Sequence, residues 1–134
     1  MPKSISINDL PKHLRDQVLQ QDGKKSAKPA EPKPRMNKTE TAYAEFLEFE
    51  KSQGRVLWFG FEKIRLVIAD GKRKAWFKPD FFVVLPDGTI EARETKGWWR
   101  EAARLRIKVA ADLYPWIRFL GVKRDGSGWQ YEEF

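Results

Sequence analysis

Three residues in the middle of the chain have the types and spacing for hydrolytic chemistry. Asp80 and Glu94 flank the turn Pro86-Asp87-Gly88, and Lys96 lies two residues beyond Glu94. If the turn is a three-residue loop with Gly88 in the left-handed conformation, Leu85 pairs with Thr89. Counting back in that register sets Asp80 directly opposite Glu94, with paired Cβ atoms roughly 4.5–5.5 Å apart. Lys96 shares their face because strand side chains alternate. A slip of one residue would part the two acids. Carboxylates this close repel each other unless positive charge sits between them, and a divalent cation with oxygen ligands meets that need. Such a metal lowers the pKa of a water and polarises a phosphoryl oxygen. Lys96 either orients the attacking water or offsets charge developing on the phosphate. The structural alternative is that Asp80 ends a strand while Glu94 and Lys96 form a surface ion pair.

The elements that must position these residues are legible in outline. Tyr43, Phe46, Leu47 and Glu50 follow a 3.6-residue period over 38–53, and Gly54 stands where a helix would stop. Residues 56–61 and 64–68 are strand-like in their β-branched and aromatic content, and Asp70-Gly71 is a turn signal. A third strand is expected from Ala75 through Pro79-Asp80 to Leu85, and a fourth over 89–96. After Gly97, residues 98–113 have a helical pattern with Ala102, Leu105, Val109 and Leu113 on one face. Residues 117–122 form a short apolar strand after that helix, which favours parallel pairing with an earlier strand. The expected fold is α/β: a mixed sheet of about five strands flanked by helices. The aromatic run Trp58, Phe59, Phe61, Trp76, Phe77, Phe81 and Phe82 is expected to pack, with no organic cofactor implied.

Residues 37–134 make up this expected domain. Residues 1–36 form a basic leader with 8 basic and 4 acidic side chains. Its 22–35 stretch is rich in Pro and Lys, as in an extended mobile linker. A short helix over 8–20 is possible, with Leu10, Leu14 and Val18 on one stripe, but it offers too little apolar area to stand alone.

Composition removes whole classes of chemistry. The 134 residues suit a single domain. No apolar run is long enough to span a membrane, and the start of the chain lacks the apolar stretch of a secretory signal. The chain has no cysteine, which excludes disulfides and thiolate metal sites and points to a cytoplasmic setting. A single histidine, His13, leaves little room for zinc sites or serine–histidine triads. Any catalytic metal must sit among carboxylates, which favours magnesium or manganese. The net charge is +7 and the isoelectric point near 9.7, a balance that attracts phosphate-bearing partners.

The strings Lys78-Pro79-Asp80-Phe81 and Glu94-Thr95-Lys96-Gly97 closely resemble the signature of the PD-(D/E)XK nucleases: Pro-Asp, a hairpin turn, then acid-x-Lys. The order helix, strands, Pro-Asp hairpin, Glu-x-Lys strand, helix, strand also resembles the core of that superfamily. The Glu-Thr-Lys-Gly-Trp run is similar to the phage endonuclease I type of Holliday-junction resolvase. The stretch 37–122, with its Asn-Lys-Thr-Glu opening and Trp-Arg-Glu-Ala helix, resembles small phage-encoded proteins of nuclease type. This resemblance implies a restriction-endonuclease-like core and magnesium-dependent cleavage of DNA, with manganese able to substitute. It further implies recombination or packaging of phage DNA, and branched or junction substrates. By the same resemblance Glu40 helps hold the metal, and the Thr95 carbonyl is a further ligand. On physical grounds alone Glu40 is a first-turn acid favoured by the helix dipole. One departure is visible: resolvases of that type exchange strands between two subunits through a long bridging segment, and none is evident here. A homodimer would suit a two-fold substrate, but no residue identifies its interface.

Arg100, Arg104 and Lys108 recur every four residues, either as a phosphate-contacting stripe or as a solvated helix face. Lys72, Arg73 and Lys74 occupy the turn before the Pro-Asp strand. Trp98 and Trp99 either stack on unpaired bases or cap the core. The leading expectation is therefore a metal-dependent endodeoxyribonuclease. The alternatives are a non-catalytic nucleic-acid-binding module of the same fold, and an interaction protein docking through its aromatic patch.

Overall fold

The computed structural model describes residues 11–14, 16, 35–96 and 99–134. The chain divides into two units, Met1–Pro34 and Arg35–Phe134. In the first, residues 12–14 and 16 are helical, and the Leu14 N–H donates to the Pro11 carbonyl at 3.0 Å. The rest of the expected 8–20 helix and residues 22–34 of the expected 22–35 linker lie outside the described residues.

The second unit opens with helix α1, Lys38–Ser52. The Asn37 side chain accepts the Glu40 N–H, and the Glu40 carboxylate accepts the Asn37 N–H, each at 2.8 Å. These reciprocal bonds satisfy two of the first-turn donors that a helix leaves unpaired. At the other end Gly54, with φ +77°, turns the chain in a conformation that a side chain would strain. Seven strands follow: β1 Trp58–Phe61, β2 Leu66–Asp70, β3 Lys74–Phe77, β4 Phe81–Val84, β5 Ile90–Thr95, β6 Ile117–Asp125 and β7 Gly128–Glu133. Helix α2, Glu101–Leu113, joins β5 to β6.

The main sheet has the order β1-β4-β5-β6-β7. β5 and β6 are parallel, as expected for strands joined by a helical crossover, and the other neighbours are antiparallel. The fold is thus α/β with a mixed five-stranded sheet and helices against it. Phe81 and Val83 pack with Tyr43 and Leu47 of α1, while the intervening Phe82 packs with Ile107 and Ala110 of α2. This alternation is what a strand buried on both faces requires.

Three sequence expectations are corrected. The strand foreseen across 75–85 is two strands in two sheets, because β3 pairs only with β2 in a separate hairpin. The break falls at Lys78-Pro79-Asp80. Pro79 has no N–H to give a ladder, and the Asp80 backbone is engaged outside both sheets, its N–H by the Glu94 side chain and its carbonyl by the Glu62 N–H. The fifth strand of the main sheet is instead β7, a largely polar edge segment without an apolar run to announce it.

The second correction concerns α2, which begins at Glu101 and not at Trp98, and is turned about its axis. Ile107 and Ala110 are its buried residues, with Ala111 and Tyr114 beside them, whereas Leu105 is 63% and Leu113 53% exposed. The alanines let the helix lie close on Ala92 and Phe119, and the Tyr114 hydroxyl reaches the Val67 carbonyl at 2.7 Å. Two apolar stripes compete on this helix, and the one that closes over the β2–β3 hairpin is the one buried. The third correction is local: Trp58, expected to pack, is 41% exposed on the edge strand β1.

The orientation of α2 is testable by truncation. Ile107→Ala is expected to cost about 2–5 kcal/mol in chemical denaturation. Leu105→Ala should stay within about 0.5 kcal/mol, as at an exposed position.

Candidate active site

The β4–β5 ladder runs from Val84 opposite Ile90 to Phe81 opposite Arg93. One step further, the Asp80 N–H donates to Oε1 of Glu94 at 2.6 Å. The register expected from the loop is therefore the register found, and Gly88 has the left-handed φ of +90° that it needs. Asp80 is held from the other side by Thr95, whose N–H and hydroxyl both donate to Oδ2, at 2.9 and 3.0 Å. Lys96 continues past the end of β5, its N–H donating to the Val122 carbonyl at 3.0 Å.

Burial defines the electrostatics. Asp80 and Glu94 are 8% and 6% exposed, and Glu40, in the first turn of α1, is 8% exposed. Burial pushes the Glu94 carboxyl up to about 8, helped by the neighbouring Asp80 charge and opposed by the Asp80 N–H and by Lys96. Burial also raises Asp80, against the two hydrogen bonds from Thr95. Glu40 is raised by burial as well, with the Asp80 and Glu62 charges adding to the effect. The site thus concentrates more negative charge than its own surroundings neutralise.

Glu62 is the acid that the sequence did not single out. Its N–H donates to the Asp80 carbonyl at 2.9 Å, and its carboxylate lies 3.4 Å from Lys78 Nζ. Its φ of +48° is left-handed, a conformation that costs a non-glycine residue energy and that clusters at functional sites. Nothing in Phe61-Glu62-Lys63 announces this, because the proximity arises only when the connector after β1 passes the end of β4.

The donor set fits a hard cation. The hydrogen bonds above use Oδ2 of Asp80 and Oε1 of Glu94, leaving one oxygen of each acid. Among the described residues no three Asp, Glu or His side chains form a metal cage by themselves. Magnesium, however, keeps several waters and is commonly held by one or two carboxylates together with substrate phosphate oxygens. Glu40 lies near the pair but spends Oε1 on the helix cap. Thr95 contributes to the site through its N–H and hydroxyl, as the support of Asp80.

The predicted cationic residues separate in space. Arg100 lines a cleft of about 560 Å³ together with Glu94, Lys96, Trp76, Lys78 and Arg106. Arg104 is turned away from this cleft and is bound to Glu132 at 2.8 Å. Lys108 lines a different hollow, with Asp112 and Phe134. Lys72 and Arg73 are exposed at the tip of the β2–β3 hairpin, and Lys74 stands 4.0 Å from Asp70. Evenly spaced cations thus do not form one contact surface, and Lys78 and Arg106 take the places beside the acids. Trp99 is half-buried against Phe134, with ring centroids 5.4 Å apart. Trp98 lies outside the described residues.

The raised carboxyls give a signed pH dependence. A carboxyl whose folded pKa exceeds its ordinary value favours the folded state at low pH and loses that contribution as pH rises through the folded value. The Tm of the metal-free protein is expected to fall between about pH 5 and pH 9, and Glu94→Gln should flatten that fall. Magnesium added at pH 8 should restore Tm in the wild type and not in Glu94→Gln. No family model, curated protein or solved structure matches the chain.

Proposed function

We propose that the chain is a metal-dependent endonuclease that hydrolyses phosphodiester bonds in DNA. The observation that carries this reading is the alignment of Asp80 with Glu94 across the β4–β5 hairpin, with Lys96, just past the end of β5, lining the same cleft as Glu94. The strand order β1-β4-β5-β6-β7, with a helix packed on each face, supports a restriction-endonuclease-like core.

Asp80 and Glu94 would hold a magnesium ion, with Glu40 near enough to add to the negative field. When bound, that ion would supply Lewis acidity toward a phosphoryl oxygen and ease ionisation of the attacking water. Thr95 keeps the Asp80 carboxylate aimed by two hydrogen bonds. Lys96 brings an ammonium to the face shared with Glu94, where it offsets charge that builds on the phosphate in the transition state. Lys78, Arg100 and Arg106 line the adjoining cleft and hold the flanking phosphates without reading sequence. Branched or junction DNA from a phage life cycle, processed in the host cytoplasm, is the setting that the motif resemblance favours.

A second reading, a non-catalytic DNA-binding module, is favoured by one observation: Glu40 is already engaged as a helix cap. Cleavage of labelled DNAs with magnesium, manganese or chelator separates the two. Metal-dependent cutting is expected, lost in Asp80→Asn and Glu94→Gln with DNA binding retained. Lys96→Ala should lower kcat by on the order of 10²–10³. Binding without cutting in any metal would favour the module.

A further inference from the structure

Positive charge is concentrated in one part of the folded domain. Residues 37–134 carry 18 basic and 15 acidic side chains, and the segment 62–78 alone holds 6 basic and 2 acidic. The other residues of 37–134 therefore have 12 basic against 13 acidic side chains. The whole excess belongs to the β2–β3 hairpin and its two connections.

That hairpin is anchored at the acid pair by both feet. On the entering side the Glu62 N–H donates to the Asp80 carbonyl at 2.9 Å. On the leaving side Lys78 Nζ lies 3.4 Å from the Glu62 carboxylate, and Lys78 lines the cleft that contains Glu94. Along the hairpin, Leu66 and Phe77 pack with Ile107 and Ala110 of α2. The Tyr114 hydroxyl adds its bond to the Val67 carbonyl at 2.7 Å. These contacts hold the hairpin in a fixed position relative to the acids.

The cations continue from the cleft to the tip. Lys74 pairs with Asp70 and Trp76 with Val67, on the face opposite Phe77. One side of the Trp76 ring is covered by the Arg65 guanidinium, 4.3 Å from its centroid. Beyond Lys74, Arg73 and Lys72 are exposed at the turn, where Asp70 is the one acid, 4.0 Å from Lys74. The chain from Lys72 to Lys78 extends over about 20 Å, the rise of about six base pairs. A row of cations binds phosphates through counterion release, most strongly where phosphates are densest, in a paired duplex. Unpaired strands call instead for bare aromatic rings on which bases stack. The exposed tip, residues 69–74, contains no aromatic side chain.

We propose that the β2–β3 hairpin seats a paired arm of the DNA, whose phosphates run from Lys78 beside the acids to Lys72 and Arg73 at the tip. This deepens the nuclease reading and rests on it for the place of the cut, which then needs about six base pairs on the hairpin side.

The test is equilibrium binding of the full chain to a paired duplex and to one of its strands over a range of salt. Chelator is present so that binding is read apart from cutting. The triple variant Lys72→Gln, Arg73→Gln, Lys74→Gln is compared with Lys38→Gln, Lys51→Gln, Lys123→Gln, which removes equal charge from exposed positions off the hairpin. The hairpin variant is expected to bind duplex about tenfold or more weakly than the wild type. Its slope of log K against log salt should be smaller by about 3, while the matched variant keeps a slope near that of the wild type. Should the hairpin variant fail to fold, Arg73→Glu alone decides, with a several-fold loss of duplex affinity expected. Equal duplex affinities for the two triple variants would overturn the proposal, as would a loss on the single strand as large as on the duplex. Metal-dependent cutting, with the hairpin variant binding like the matched one, defeats the hairpin assignment and leaves the nuclease. A duplex-specific loss confined to the hairpin variant, with no cutting in any metal, supports the assignment and removes the nuclease.

Discussion

The register of one hairpin governs both the chemistry and the packing of this protein. Gly88 adopts φ +90°, its N–H donates to the Leu85 carbonyl at 2.9 Å, and the Leu85 N–H donates to the Thr89 carbonyl at 2.9 Å. The Asp87 carboxylate accepts the Thr89 N–H at 2.9 Å and finishes the turn. These local bonds decide which β5 residues face α2 and which face α1. In the observed register Glu94 reaches Asp80, while Arg93 on the opposite face reaches Glu91 and the Tyr43 hydroxyl. A slip of one residue would place the Arg93 guanidinium in the acid site and strand Glu94 beneath α1. The turn is therefore held by two cores at once, and neither tolerates the alternative.

The two faces of β5 also treat buried charge in opposite ways. On the α1 side, Glu91 is 1% exposed and fully answered by Arg93 and Arg118, with the Arg93 guanidinium further stacked over Tyr131. Buried charges that are paired and hydrogen-bonded in this way hold a structure in a single arrangement. On the other face, Glu94, beside Asp80, has hydrogen bonds but too little positive charge, so burial raises the pKa of both carboxyls. The left-handed backbone at Glu62 adds local cost at the same place. Such a site is stable only because the strands that carry it are anchored elsewhere, by Phe81, Phe82 and Phe119 in the layers around it.

The break between β3 and β4 links these features. Because Pro79 cannot continue a ladder, the chain leaves the hairpin sheet, passes the acid site and enters the main sheet. That change of sheet swings the β2–β3 hairpin under α2 and forms one wall of the cleft beside Glu94, through Trp76 and Phe77. The same bend frees the Asp80 backbone to bond Glu94 and Glu62. Site and cleft are consequences of one local failure of strand continuity.

The sequence by itself determined the features that depend on neighbours close in the chain. The stop of α1 at Gly54, the three-residue loop and the meeting of Asp80 with Glu94 follow from turn chemistry and alternation, which act over a few residues. The parallel entry of β6 follows from the length of the connection through α2. Only the tertiary structure decided what depends on distant partners. The buried stripe of α2, the separation of β3 from β4, the addition of β7, the arrival of Glu62 and the parting of Arg100 from Arg104 all required knowing which surfaces compete for the same neighbour. Leu105 and Ile107 are equally apolar, and only the position of the β2–β3 hairpin chooses between them. Periodicity shows that a face exists, whereas burial goes to the face that a partner covers.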